Sequence, residues 1–166
     1  LKINHSYKDL PVIIARFANF YGEGQQSYRI IPRVILSIIF KKKFELHGGG
    51  KSIRSFIHAK DVSNAINKCL IKGKKGETYH FSTNEQISIY NISKKIIEQS
   101  DISFNDICVI KKVDRLGKDL TYDMCCSFTK NKLNWKPKIK LNHGLIETFK
   151  WFYDNKKIYE KINLEY

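Results

Sequence analysis

The sequence predicts a single α/β domain organised on a parallel sheet. Three observations carry that expectation. The chain has 166 residues of which 42% are hydrophobic, enough for one sizeable core and too little for two ordinary ones. Its opening run, Pro11 to Phe17, is continuously apolar and rich in β-branched residues, the pattern of a strand covered on both faces. Beyond that run, short extended segments alternate with segments of helical period.

In order along the chain, the residues from Asn19 to Gln25 supply loop chemistry at the carboxyl end of the first strand, where open α/β sheets bind ligands. The apolar stretch Ile30 to Phe40 reads as a mostly buried helix with Pro32 tolerated in its first turn, followed by Lys41, Lys42 and Lys43 beside the negative end of its dipole. Phe44 to His47 alternates as a short strand. Gly48, Gly49 and Gly50 are stable in neither helix nor strand and predict a tight turn, read here as a hairpin leading to a strand over Ser52 to His58. From Ala59 to Ile71, the side chains Val62, Ala65, Ile66, Cys69 and Leu70 form one helical stripe. Gly76 to Ser82 is a strand, and Ser88 is placed to N-cap a helix carrying Ile89, Ile92, Ile96 and Ile97. Cys108 to Ile110, with Val113, is extended; Phe128 to Leu133 is a short helix; Leu145, Phe149, Phe152 and Tyr153 mark the stripe of a terminal one.

A net charge of +14 raises the possibility of nucleic-acid binding, but 25 Lys against 5 Arg, scattered beside turns and helix ends, gives no concentrated surface. A specific nucleic-acid interface is therefore not expected, and a basic binding module stands as the alternative reading. No apolar stretch approaches the roughly 20 residues of a membrane span. The first residues contain no apolar signal core, the only Met is Met124, and Leu1 reads as a cut end. Cys69, Cys108, Cys125 and Cys126 lack metal spacing. They read as reduced thiols packed as small hydrophobes in a cytoplasmic protein, with Cys125 and Cys126 on opposite faces of an extended segment. No metal site is expected.

Several short motifs stand in fixed order. They are Arg16 to Gly22, Arg29 to Pro32, Leu46 to Gly50, Arg54 to His58 with Asp61 and Val62, Gly76 to Tyr79, Asp114 to Asp119 with Tyr122, and Leu133 to Pro137. Together, from about Leu10 to Asn155, they resemble the carboxyl-terminal half of the extended short-chain dehydrogenase/reductases. Within that family the similarity is to the NAD-dependent nucleotide-sugar epimerases and dehydratases, the 4,6-dehydratases in particular.

The resemblance implies an α/β chain comprising the last sheet strand of a Rossmann-type fold and the smaller mixed α/β substrate-binding lobe. Residues 1–22 would end the NAD-binding domain and residues 23–166 would form the nucleotide-sugar lobe. The Gly-rich dinucleotide loop and the catalytic Tyr-x-x-x-Lys pair would lie upstream, so no residue here is assigned a catalytic role. NAD would be bound mainly by an amino-terminal Rossmann half, and the full-length protein would be a homodimer. By the same resemblance, Asn19 contacts both substrate and cofactor, Arg29 with the following Ile30 sits at a phosphate-binding position, and Arg54 and Arg115 grip the diphosphate. Leu46 and His47 flank the base, Ser88 contacts the ribose, and Tyr122 neighbours the same pocket.

Each residue also has a plainer reading: Arg29 as an exposed helix start, Arg54 in a surface ion pair, Arg115 as a turn residue, His47 and His58 as packed or surface histidines. Three positions depart from the family pattern. Phe20 replaces a second Asn, Glu45 a Pro near the base, and Leu116 a Pro after Arg115. These leave the ligand class intact and the base and sugar open. A non-catalytic scaffold is the third alternative.

Overall fold

The computed structural model describes residues 11–113, 117 and 119–161. The opening apolar run forms β1 (Ile14–Phe17), and the chain then kinks at Ala18 into β2 (Asn19–Tyr21). The two strands enter different sheets. β1 pairs in parallel with β5 (Thr78–Phe81), while β2 pairs in parallel with β4 (Ile53–His58), which also pairs antiparallel with β6 (Gln86–Ser88). A third, parallel pair joins β3 (Phe44–His47) to β7 (Cys108–Lys111). The parallel character read from the opening run is present. Its cover on both faces is not, because Ala15 and Arg16 are exposed. Asn19 to Tyr21, read as loop, is strand because its backbone groups find the edge of β4.

The helices follow the sequence pattern closely. α1 (Ile30–Ile39) carries Pro32 in its first turn and buries Ile31, Val34, Ile35, Leu36 and Ile38. α2 (Ala59–Lys72) and α3 (Ile89–Ile97) come next, the latter capped by Ser88, whose hydroxyl accepts from the Asn91 amide at 3.1 Å. A single turn, α4 (Phe104–Ile107), leads into β7, and α5 (Ser127–Leu133) and α6 (Leu141–Asp154) complete the chain before a 3-10 turn at Lys156–Tyr159. The α2 stripe is only partly covered. Ala65 and Cys69 are buried, whereas Ile66, Leu70 and Ile71 are exposed. On α6, Leu145 and Phe152 are buried and Tyr153 is exposed.

The glycine run is not a hairpin. Gly48–Gly50 forms a 3-10 turn that carries the chain from the β3–β7 sheet to the β2–β4–β6 sheet, so the flanking strands never pair with each other. Gly50 has φ +65° and lies where an added Cβ would approach the Tyr90 backbone nitrogen to 2.8 Å. Glycine is therefore required both by the left-handed backbone and by the close passage of α3.

Two apolar clusters result. The larger packs α1 against α3, α6, Phe44 and Leu46. The smaller gathers Ala18, Ile57, Ala65, Tyr79, Phe81, Leu133 and Trp135, with Phe81 edge-on to Trp135 at 5.0 Å. Asp61, buried at the start of α2, ties the two regions by accepting the amides of Lys138 and Ile139 at 3.0–3.1 Å just before α6.

Candidate functional site

A cleft of about 730 Å³ opens between the amino end of α1 and the strands β2, β3 and β4. Each wall follows from local structure. Residues alternate across a strand, so Arg54 and Phe56 of β4 share a face and both line the cleft. Asn19, the first residue of β2, is paired in register with Phe56 and lies exposed at the rim. Glu45, Leu46 and His47 of β3 form a second wall, and Arg29 and Ile30 come from the start of α1.

Six residues singled out in the sequence therefore meet in one place: Asn19, Arg29, Ile30, Leu46, His47 and Arg54. Two others do not line it. The Ser88 hydroxyl serves as the α3 cap, although its neighbour Ile89 reaches the cleft. Tyr122 is exposed in the segment leading to α5. Arg115 lies outside the described residues, while Gly117, shortly after it, borders the cleft.

Among the described residues, Arg54 makes no ion pair. Its guanidinium donates from Nη1 to the carbonyls of Ile53 at 2.7 Å and Leu120 at 3.3 Å, and from Nη2 to that of Asp119 at 2.7 Å. Of the five N–H groups a guanidinium carries, these bonds engage three among the described residues. The same bonds hold the segment after Gly117 against the cleft, where the Leu120 carbonyl also accepts the Ile53 amide at 2.8 Å.

Sequence reasoning missed Arg33, which follows Arg29 by one helical turn and also lines the cleft. The i,i+4 spacing of two arginines at a helix start was the available signal. Three of the four arginines among the described residues thus line one cavity, an arrangement suited to a polyanion. One carboxylate stands among them. Glu45 is held by Lys111 at 3.1 Å and approached by His47 at 3.6 Å.

Behind β2, His58 is buried with its ring edge-on to Tyr21 at 5.2 Å. Its Nδ1 accepts the Lys60 amide at 3.3 Å, capping α2, and its Nε2 lies 3.9 Å from Glu147. Burial pushes the His58 imidazole below its usual value, and burial likewise raises the Tyr21 phenol. Lys60 bridges Glu147 at 3.2 Å and Glu23 at 3.6 Å, fastening the loop after β2. Among the described residues, no group of three His, Cys, Asp or Glu side chains could hold a metal ion, and no helix is long and apolar enough to cross a membrane.

With this geometry in place, residues 1–93 match the model of the NAD dependent epimerase/dehydratase family. The chain belongs to that family. Its relatives include the dTDP-D-glucose 4,6-dehydratase of Mus musculus, 34% identical over 149 residues, a match covering 87% of this chain and 42% of the mouse protein. Among solved structures, the dTDP-glucose 4,6-dehydratase of Bacillus anthracis in complex with NAD is 30% identical with a TM-score of 0.85, covering 94% of this chain and 49% of that one. The UDP-glucuronic acid 4-epimerase of Bacillus cereus, in complex with UDP-glucuronic acid and NAD, shares the fold at 22% identity and a TM-score of 0.84, covering 92% and 48%. The parallel-stranded α/β architecture is thus that of the epimerase/dehydratase family. The chain spans about half the length of the relatives it matches.

Proposed function

We propose that these residues form the substrate-holding portion of an NAD-dependent nucleotide-sugar 4,6-dehydratase or epimerase, gripping the diphosphate of a nucleotide sugar. The observation that carries this reading is the convergence of Arg29, Arg33 and Arg54 with Asn19, Leu46 and His47 on one cleft of about 730 Å³, a volume in the range of small-molecule sites. The guanidinium groups match phosphate oxygens in geometry and charge. The apolar surfaces of Ile30, Leu46 and Phe56 offer cover to a planar base. Arg115, Ser88 and Tyr122 belong to the proposal by resemblance alone.

In this reading residues 1–22 close a dinucleotide-binding domain, residues 23–166 make the sugar-nucleotide lobe, and the full-length protein is a homodimer. NAD, when bound, supplies hydride transfer. By the resemblance, Asn19 at the rim would touch both it and the sugar, and the part of the remaining cleft residues is to bind and orient. Positioning without the reactive groups gives binding and no turnover, so these residues work with a dinucleotide-binding half supplied in cis or in trans.

Calorimetric titration of the chain with dTDP-, UDP-, CDP- and GDP-sugars tests the reading and identifies the base. Saturable binding of at least one member, weakened by Arg54→Ala, is expected. Indifference to every member, or binding insensitive to the cleft arginines, would return the chain to the scaffold alternative. Turnover of a nucleotide sugar by these 166 residues alone would overturn the assignment of catalysis to another half.

A further inference from the structure

The four cysteines were read as packed thiols, and two of them are. Cys69 and Cys108 are buried, and burial raises both, the latter to about 11. Cys125 and Cys126 differ. They lie in the segment between Thr121 and α5 rather than in a strand, with Cys125 exposed and Cys126 half-buried. The Cys125 thiol donates to Ser127 Oγ at 3.4 Å, and the Cys126 thiol donates to the Met124 carbonyl at 3.5 Å. One sulfur thus faces solvent beside a hydroxyl that can turn and donate to it, and the other stands next to it under partial cover. Contact with the Ser127 hydroxyl and backbone lowers the Cys125 thiol, whereas burial raises that of Cys126.

We propose that Cys125 and Cys126 form a reversible redox site, a vicinal dithiol oxidised by low-molecular-weight disulfides. The Cys125 thiolate attacks one sulfur of the small disulfide, its S–S bond breaks, and one small thiolate leaves. The Cys126 thiolate then attacks the Cys125 sulfur and displaces the second small thiolate. In sum, two protein thiols lose two protons and two electrons, and the small disulfide is reduced to two thiols. Exposure and the Ser127 contact make Cys125 the entry point, and adjacency makes Cys126 the resolving group.

Adjacent Cα atoms lie about 3.8 Å apart across a trans peptide, below the usual disulfide span. The product is therefore strained and easily reduced, which suits a sensor better than a structural cross-link. Its position bears on the cleft. The backbone that must turn to close the ring continues directly from the Asp119 and Leu120 carbonyls held by Arg54.

The test treats the 166-residue chain with oxidised glutathione and follows intact mass and the tryptic peptide running from Asp119 to Lys130, which contains both thiols and no other cysteine. Expected are a loss of two hydrogens confined to that peptide and its reversal by dithiothreitol. Cys126→Ser should stop at a single glutathione adduct on Cys125. Cys125→Ser should react at least about tenfold more slowly, at the rate of the covered thiols. The proposal is overturned if the wild-type chain keeps a glutathione adduct, if it does not react, if the new bond joins Cys69, Cys108 or a second chain, or if Cys125→Ser is oxidised as fast as wild type.

Discussion

His58 sits where β4 ends and α2 begins, opposite Tyr21 in the strand register and 3.9 Å from Glu147 of α6. In that place the neutral ring is favoured, because Nδ1 must accept the Lys60 amide and burial disfavours the charged form. Its folded-state value lies below the ordinary 6.5, so the unfolded chain takes up the proton first as pH falls. The associated stability is present above about pH 6.5 and is lost progressively below it. Glu147, Asp61 and Glu23 oppose this trend and Lys60 reinforces it, but burial dominates. Denaturant unfolding across about pH 5 to 8 should show stability rising with pH, and His58→Asn, which retains a cap acceptor and does not titrate, should flatten that slope.

Arg54 makes a second prediction at the same scale. Replacement by Ala should cost about 1.5–3 kcal/mol of nucleotide-sugar affinity, the range for charge-assisted bonds, and Lys should restore only part of it. An ammonium has no planar fork with which to hold the Ile53, Leu120 and Asp119 carbonyls and a phosphate together. Isothermal titration of the wild type and the two variants decides the point.

At the scale of elements, Gly144 shows how helix and sheet are matched. A Cβ there would lie 2.3 Å from the Tyr21 hydroxyl and 2.9 Å from His58 Cδ2. In an exposed helix interior, Gly→Ala gains about 1 kcal/mol. On α6 the sign should reverse. Gly144→Ala should lower stability by about 1–3 kcal/mol, the cost of overpacking, read as a fall in the denaturation midpoint with an unchanged m-value.

Local features were legible in the sequence for the same reason that this one was not. The Ser88 cap, Pro32 in the first turn of α1 and the alternation of Phe44 to His47 depend on near neighbours, and all appear where expected. The glycine run failed as a hairpin because turn chemistry reports that the chain bends and not which strand it then meets. The exposed Ile66 and Leu70 continue the helical stripe beyond the surface that α2 covers. Of the candidate cleft, Arg29, Arg54, Leu46 and His47 could be singled out because motif order put them together. Ser88 could not be resolved, since one hydroxyl fits both a cap and a ribose contact. Arg33 escaped notice because no motif contains it.

Across the whole molecule, apolar surface is distributed unevenly. β1 is hydrogen-bonded to β5 on one side only among the described residues, and Leu70 and Ile71 on the nearby α2 are 77% and 71% exposed. An open strand edge and uncovered aliphatic side chains favour association. Light scattering should show mass increasing with concentration, and a hydrophobic dye should fluoresce in the presence of the folded chain. A monodisperse, dye-silent monomer would contradict this.

The order of the strands has a kinetic consequence. No described strand pairs with its neighbour in sequence: Ile14 meets Thr78, Asn19 meets Phe56, Phe44 meets Cys108 and Ser55 meets Gln86. Each ladder must therefore wait for a long loop to close, and the entropy of that closure is lost before the first inter-strand bond forms. Helices α1, α2 and α6 need no such encounter. The chain should acquire helical signal early and tertiary structure late, with open strand edges persisting for milliseconds to seconds, the interval in which a nascent chain is most prone to pair with the wrong partner.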